Sequence, residues 1–115
     1  MKLYYTTMLL LASLLPITVL ATPAQNCKTL SCVRKNIDII DQQMVKLIGQ
    51  RLTYVKRAGE LKGHKIPVYD PAREKVILDT VGQQAEKQGY PASIAQDVFK
   101  TILNQSRTYE EKSQH

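Results

Sequence analysis

The sequence predicts an all-α domain built from three helices. From Cys32 to Leu61 apolar residues recur at alternating spacings of four and three, which is the period of a helix rather than of a strand. Prolines and glycines divide the rest into two further segments of helical period, at residues 71–88 and from Pro91 onward. No stretch after residue 21 alternates as a strand does. The three segments therefore predict one long helix followed by two shorter ones.

Residues 1–21 have the features of a secretory signal peptide. Lys2 precedes an apolar run that ends at Ala21, and Val19 and Ala21 occupy the minus three and minus one positions of a cleavage site. Cleavage after Ala24 is an alternative. A transmembrane anchor fits less well, because a proline and a threonine interrupt the run and no basic flank follows. We therefore predict a signal peptide at residues 1–21, one domain at residues 22–115, and a periplasmic or secreted protein without membrane contact after cleavage.

The chain carries more basic than acidic residues. Lys and Arg number 16 and Asp and Glu number 10, a formal net charge of +6 that becomes +5 without Lys2. Acidic residues are interspersed among the basic ones, and no basic block is interleaved with aromatic residues. We therefore interpret the excess as a solvated surface or an anion site, and we expect no nucleic-acid binding.

The two cysteines lie close together in the segment "NCKTLSC". In an exported chain, a pair of cysteines without a third favours a disulfide, here Cys27 to Cys32. A metal or redox site is the alternative, but it lacks partners, since the histidines are His64 and His115 and neither is close in sequence. We predict a disulfide before the first helix and no metal.

The first helix is predicted to be unusually long. Ser31 can act as its N-cap, and Gly63 is placed to end it. About 30 residues of helix span about 45 Å, whereas a compact domain of this size has a diameter of about 32 Å. We therefore expect its apolar stripe to pack against a second chain in a homodimer. The stripe comprises Val33, Ile37, Ile40, Met44, Leu47, Arg51, Tyr54, Ala58 and Leu61.

Turn residues mark the two shorter helices. After a loop at residues 63–70, Asp70 and Pro71 form a typical helix start, and Gly89 ends that helix. Pro91 opens the third helix, with a cap near Tyr90. The apolar positions of the second helix are Ile77, Leu78, Val81 and Ala85, and the stripe of the third is Ala95, Phe99, Ile102, Ser106 and Glu110.

Several polar residues occupy positions where these stripes call for apolar ones. Arg51 and Lys62 differ by only about 20° around the first helix, and a buried cation without a partner costs several kcal/mol. Both could instead reach the edge of the core, or Arg51 could pair with Glu74. The inward-facing candidates are Arg51, Lys62, Asp70, Arg73, Glu74, Ser106 and Glu110.

Such a cluster suits a small ligand with two carboxylates, each bound by an arginine. Arg34 lies about 100° from Arg51 around the helix, so we expect it to face a neighbouring subunit's cavity. No nucleophile, base and orienting residue form a triad. Chemistry by positioning and electrostatics, without a cofactor, therefore fits better than covalent catalysis.

Four segments carry a resemblance to a known family: "VRKNIDIIDQQMVKLIGQR", Lys62 eleven residues later, "PVYDPAREKVIL" and "VFKTILNQSRTYE". They resemble the all-helical, type II chorismate mutase family from about Cys32 to Glu111. The resemblance implies an intertwined homodimer of three-helix chains with two active sites. It also implies a pericyclic rearrangement of chorismate to prephenate without a cofactor.

The resemblance assigns roles to the cluster. Arg51 and the partner's Arg34 would bind a substrate carboxylate, and Lys62 would donate to the ether oxygen whose bond breaks. Asp70 and Glu74 would bind the region of the substrate hydroxyl. Arg73 would support the site, and Ser106 would contact a carboxylate.

Glu110 departs from the commonest pattern, which has a glutamine at this position. An ionised carboxylate would repel the ether oxygen, so Glu110 must carry a proton to donate a hydrogen bond there. We therefore expect activity to fall as pH rises.

Two alternatives remain open. The segments "DIIDQQMV" and "RLTYVK" also resemble isochorismate pyruvate lyase, which uses the same scaffold. Glu74 and Ser106 favour the mutase, because lyase-like sequences tend to have an apolar residue and a bulkier one there. The second alternative is an exported helical binding module without catalytic activity.

Overall fold

The computed structural model describes residues 21–114. Except for Ala21, the predicted signal peptide lies outside the described residues. The chain divides into two compact units between Gln42 and Gln43, and each unit is described by itself.

All the regular secondary structure of the described residues is helical, as predicted. A short 3-10 helix, η1 (Ala24–Asn26), precedes α1 (Leu30–Lys62), α2 (Pro71–Lys87) and α3 (Ala92–Glu111). Residues 21–114 contain no strand. This confirms the all-α class with a long first helix. None of the helices in this part of the chain is long and apolar enough to cross a membrane.

In the first unit, the start of α1 lies next to the two cysteines. The sulfur atoms of Cys27 and Cys32 are 1.99 Å apart, a disulfide distance. Asn36 bridges the segment before the helix to its first turn: its Oδ1 accepts a hydrogen bond from the Thr22 N–H at 2.6 Å, and its Nδ2 donates to the Cys32 carbonyl at 2.9 Å. The disulfide and the Asn36 hydrogen bond to Thr22 thus both hold the segment before α1 against the start of this helix.

The predicted N-cap of α1 is wrong by two residues. The hydroxyl oxygen of Thr29 accepts a hydrogen bond from the Cys32 N–H at 3.1 Å, which is the geometry of an N-cap. The helix begins at Leu30, so Ser31 lies within its first turn. Ser and Thr are both good caps, and the sequence alone did not separate them.

In the second unit, the predicted helix ends are largely confirmed. Gly63 has a φ of +53° and donates its N–H to the Gly59 carbonyl at 3.0 Å, which ends α1. Asp70 Oδ1 accepts from the Arg73 N–H at 2.9 Å and caps α2, with Pro71 as its first residue. Gly89 has a φ of +87° and follows α2.

The third helix starts without a side-chain cap. Its N-cap position is Pro91, next to Tyr90, near which the cap was predicted, and no side chain there accepts a backbone N–H. The helix itself begins at Ala92, one residue after the predicted opening at Pro91.

The apolar core of the second unit lies between α2 and α3. Val81, Ala85 and Ala95 are buried, and the partly buried side chains of Ile77 and Phe99 pack against them. Ala85 is only 1% exposed. Small residues at the contact let the two helices approach closely, and the same pairing carries the start of α2 and the end of α3 to the candidate site.

The apolar stripe of α1 is largely exposed on the single chain. In the first unit Val33, Ile37 and Ile40 are between 39% and 50% exposed. In the second unit Met44 is 47% and Leu47 62% exposed. Apolar side chains of the predicted stripe are therefore exposed in both units.

Candidate anion-binding active site

A cavity of about 440 Å³ lies in the second unit. Its wall is formed by the end of α1, the loop that follows, the start of α2 and the end of α3. Seven of the eight predicted ligand-binding residues line it, and Arg34, which lies in the first unit, is not among the lining residues. The charged and hydroxyl side chains of the wall are Arg51, Lys62, Asp70, Arg73, Glu74, Ser106, Arg107 and Glu110.

Arg51 is held by a neutral partner on α3. Its Nη1 donates to Ser106 Oγ at 2.6 Å, and Ser106 Oγ donates to the Ile102 carbonyl at 2.7 Å. Ser106 is buried, whereas Arg51 is half-buried. The alternative pairing of Arg51 with Glu74 is not what the structure has, because Glu74 pairs with Arg107. Within the described part of the chain Arg51 forms no ion pair, so its charge remains available to an anionic ligand.

Lys62 and Glu110 meet across the cavity wall. The distance from Lys62 Nζ to Glu110 Oε1 is 2.7 Å, and the two side chains are 23% and 11% exposed. This is an ion-pair distance, but Oε1 is buried and accepts no hydrogen bond of good geometry from any described residue. A lysine ammonium reorients easily, so the 2.7 Å contact is an ion pair. Lys62 Nζ also donates to the Val68 carbonyl at 3.3 Å.

Gly59 allows this pair to form. It is the only buried residue that α1 has within the described chain. A Cβ built on it would lie 2.8 Å from the Glu110 carbonyl oxygen and 3.0 Å from Ser113 Cβ. The end of α3 therefore approaches the backbone of α1 so closely at residue 59 that only glycine fits there without a shift. This close approach lies three residues before Lys62.

The first turn of α2 contributes three residues. Asp70 lines the cavity and also caps the helix, so one of its carboxylate oxygens is occupied by the Arg73 N–H. Arg73 itself is exposed at the rim, and Glu74 is half-buried in the wall. The cap at Asp70 thus fixes the backbone of the first turn, from which the side chains of Arg73 and Glu74 extend.

Arg107 is the functional candidate that sequence reasoning missed. It lines the cavity and forms an ion pair with Glu74 through Nη1 and Oε1. A signal was available: Leu103, Arg107 and Glu110 follow a spacing of four and three on α3, and all three line the cavity. The predicted apolar stripe of α3, which contains Phe99 and Ile102, lies beside this row of residues and does not include Arg107.

The wall has an excess of positive charge. Four cations (Arg51, Lys62, Arg73 and Arg107) stand against three carboxyl groups (Asp70, Glu74 and Glu110). Low-dielectric walls strengthen the attraction of such a cavity for an anion. Residues 21–114 contain no group of three or more His, Cys, Asp or Glu side chains that could hold a metal ion.

In the second unit the end of α1 and the two shorter helices thus form an all-α wall around a cation-rich cavity. The chain belongs to the chorismate mutase type II family, whose model matches residues 33–111. The matched region contains every residue of the cavity wall.

Individual relatives fall into more than one functional group. The chain is 33% identical to the T-protein of Enterobacter agglomerans over 82 residues, 70% of this chain and 22% of the T-protein. It is 30% identical to the chorismate mutase of Methanocaldococcus jannaschii over 81 residues, which is 82% of that protein. It is 31% identical to the isochorismate pyruvate lyase of Pseudomonas aeruginosa over 80 residues, which is 79% of that protein. The match spans about a fifth of the length of the T-protein.

Proposed function

We propose that the chain is an exported chorismate mutase that rearranges chorismate to prephenate. The observation that carries the proposal is the convergence of Arg51, Lys62 and Glu110 on one cavity, within the segment that matches the family. In this rearrangement one carbon–oxygen bond of the substrate breaks as one carbon–carbon bond forms. Because no atom enters or leaves the substrate, the protein needs no nucleophile and no cofactor.

The site accelerates the reaction by stabilising developing negative charge and by holding the substrate in position. Arg51, oriented by Ser106, binds a substrate carboxylate and holds the reacting ends of the molecule together. Negative charge grows on the ether oxygen as its bond breaks, and the Lys62 ammonium stabilises that charge. Donors fixed in advance in a partly buried wall act more strongly than donors in water.

Glu110 assists Lys62 when it carries a proton. Its ionised carboxylate forms the ion pair with Lys62 and offers no hydrogen to a substrate oxygen. Once protonated, Glu110 donates to the ether oxygen, and Lys62 is released from the pair to donate beside it. The proton on Glu110 therefore determines whether the ether oxygen meets one donor or two.

We further propose a homodimer in which the partner's Arg34 completes each site. The exposed apolar residues of α1 support a partner chain, since about 25 cal/mol is gained per Å² of apolar surface buried. The length of α1, 33 residues, supports the same arrangement. Export is supported by residues 1–21 and by two cysteines at a disulfide distance.

Product analysis tests the proposed reaction. Purified protein is incubated with chorismate and with isochorismate in separate reactions, and prephenate, salicylate and pyruvate are quantified. We expect prephenate from chorismate. Salicylate and pyruvate from isochorismate, with no prephenate from chorismate, would instead identify a lyase, the function of the relative from Pseudomonas aeruginosa. Turnover of neither substrate would favour a binding module.

Substitutions connect turnover to the cavity. Arg51→Ala and Lys62→Ala should each lower kcat/KM by about 100-fold or more while the far-UV circular dichroism stays unchanged. Arg57→Ala and Lys100→Ala are matched controls, because both side chains are exposed and form ion pairs outside this cavity, with Glu60 and Asp97. Equal losses in the controls would contradict the assignment.

A further inference from the structure

Arg107 is anchored more firmly than the other arginines of the cavity. Its guanidinium carbon lies 5.2 Å from the centroid of the Tyr69 ring, and its Nη2 donates to Asn104 Oδ1 at 3.2 Å. Its Nη1 forms the ion pair with Glu74. An aromatic face, an amide oxygen and a carboxylate thus restrain one planar group from three sides.

The ion pair uses only one oxygen of Glu74. Arg107 contacts Oε1, and no described residue donates a hydrogen bond to Oε2. The Glu74 side chain is 20% exposed and lines the cavity. A carboxylate held through one oxygen keeps the other as an acceptor of defined position, which is the property required to recognise a ligand hydroxyl.

We propose that Arg107 is a positioning residue that fixes Glu74 to accept a hydrogen bond from the hydroxyl group of the substrate ring. The inference rests on the proposed function and adds a determinant of specificity to it. Arg107 acts through Glu74, and Tyr69 and Asn104 hold Arg107 in place. Without Arg107, the Glu74 carboxylate rotates freely and its hydrogen bond to the hydroxyl is lost.

The test compares chorismate with an analogue that lacks the ring hydroxyl. We expect Arg107→Ala to lower kcat/KM for chorismate about tenfold, the effect of one charge-assisted hydrogen bond, and to change kcat/KM for the analogue by less than about twofold. Arg107→Lys should restore part of the loss, because it keeps the charge but not the planar fork. Arg57→Ala, which removes an exposed arginine paired with Glu60, is the control and should change neither substrate.

A double-mutant cycle separates positioning from direct binding. In a Glu74→Ala background, Arg107→Ala should have less than about a twofold further effect on chorismate, because the carboxylate that Arg107 positions is absent. A tenfold effect that persists in this background, or an equal loss with chorismate and the analogue, would overturn the inference by showing that Arg107 binds the substrate directly or only supports the fold. Failure of the proposed function is recognised separately, since the wild-type protein would then form no prephenate.

Discussion

Glu110 is the residue whose chemical state most affects the proposed reaction. It is buried at the end of α3, and its Oε1 lies 2.7 Å from Lys62 Nζ. The same carboxyl group is an ion-pair partner when ionised and a hydrogen-bond donor when protonated. Only the second state assists the breaking bond.

Turnover is therefore expected to fall as pH rises. With a proton on Glu110 two donors meet the ether oxygen, and without that proton Lys62 alone remains. Glu110→Gln keeps a neutral donor at all pH values and should flatten the profile, as measured by the initial rate of prephenate formation. Glu111→Gln alters the exposed neighbouring carboxylate and is the control. A wild-type rate that stays constant between about pH 4 and pH 8 would contradict the role of the proton.

At the scale of the helices, the contact between α1 and the end of α3 depends on the absence of a side chain at residue 59. Gly59→Ala forces its Cβ to within 2.8 Å of the Glu110 carbonyl oxygen. We expect a loss of about 1–3 kcal/mol in the free energy of unfolding, the usual cost of overpacking, together with lower turnover as Glu110 moves from Lys62.

Gly49→Ala is the matched control for this substitution, because a Cβ there meets nothing within 4 Å. Glycine in an exposed helix costs about 0.5–1 kcal/mol relative to alanine, so this variant should be more stable than the wild type in urea denaturation. Similar destabilisation of both variants would show that the Gly59 contact is not responsible.

The start of α1 should depend on the link between Cys27 and Cys32. The two cysteines are five residues apart, and closing so short a loop stabilises a folded chain by about 2 kcal/mol. We expect a reductant to lower the thermal midpoint and to speed hydrogen exchange at the first turn of α1. The double variant Cys27→Ser with Cys32→Ser should not respond to the reductant. Equal midpoints of the wild type with and without reductant would show that the link contributes nothing.

For the whole molecule, the proposed sharing of each active site between two chains makes a prediction that a monomer cannot meet. Arg34→Ala and Arg51→Ala should each abolish most turnover when assayed alone. In a mixed dimer, the Arg34→Ala chain still has Arg51 and the Arg51→Ala chain still has Arg34. These two arginines meet in one of the two sites, so that site is intact.

Refolding the two variants together at equal concentrations should restore about a quarter of wild-type activity, because half of the dimers are mixed and each contains one intact site. The measurement is prephenate formation by the mixture against each variant alone, with sedimentation velocity to confirm the dimer. A mixture no more active than its components, or a monomer in sedimentation, would contradict the shared site.

The helices of this protein could be read from the sequence because their signals are local. Asp70 with Pro71, and Gly63 and Gly89 with their positive φ, act on the few residues beside them. The shared face of Arg51 and Lys62 on α1, and that of Ser106 and Glu110 on α3, were also predictable, since a helical period determines which side chains of one helix share a face.

The remaining features depend on contacts between segments far apart in the chain, and only the tertiary structure decided them. Glu74 and Arg107 are separated by 33 residues, and their pairing depends on how α2 packs on α3. The close approach at Gly59 likewise depends on where α3 ends against α1. The sequence by itself thus determined the helices and the faces that carry charge, because both follow from local geometry. The tertiary structure decided which charges meet, because partners distant in sequence are chosen by packing.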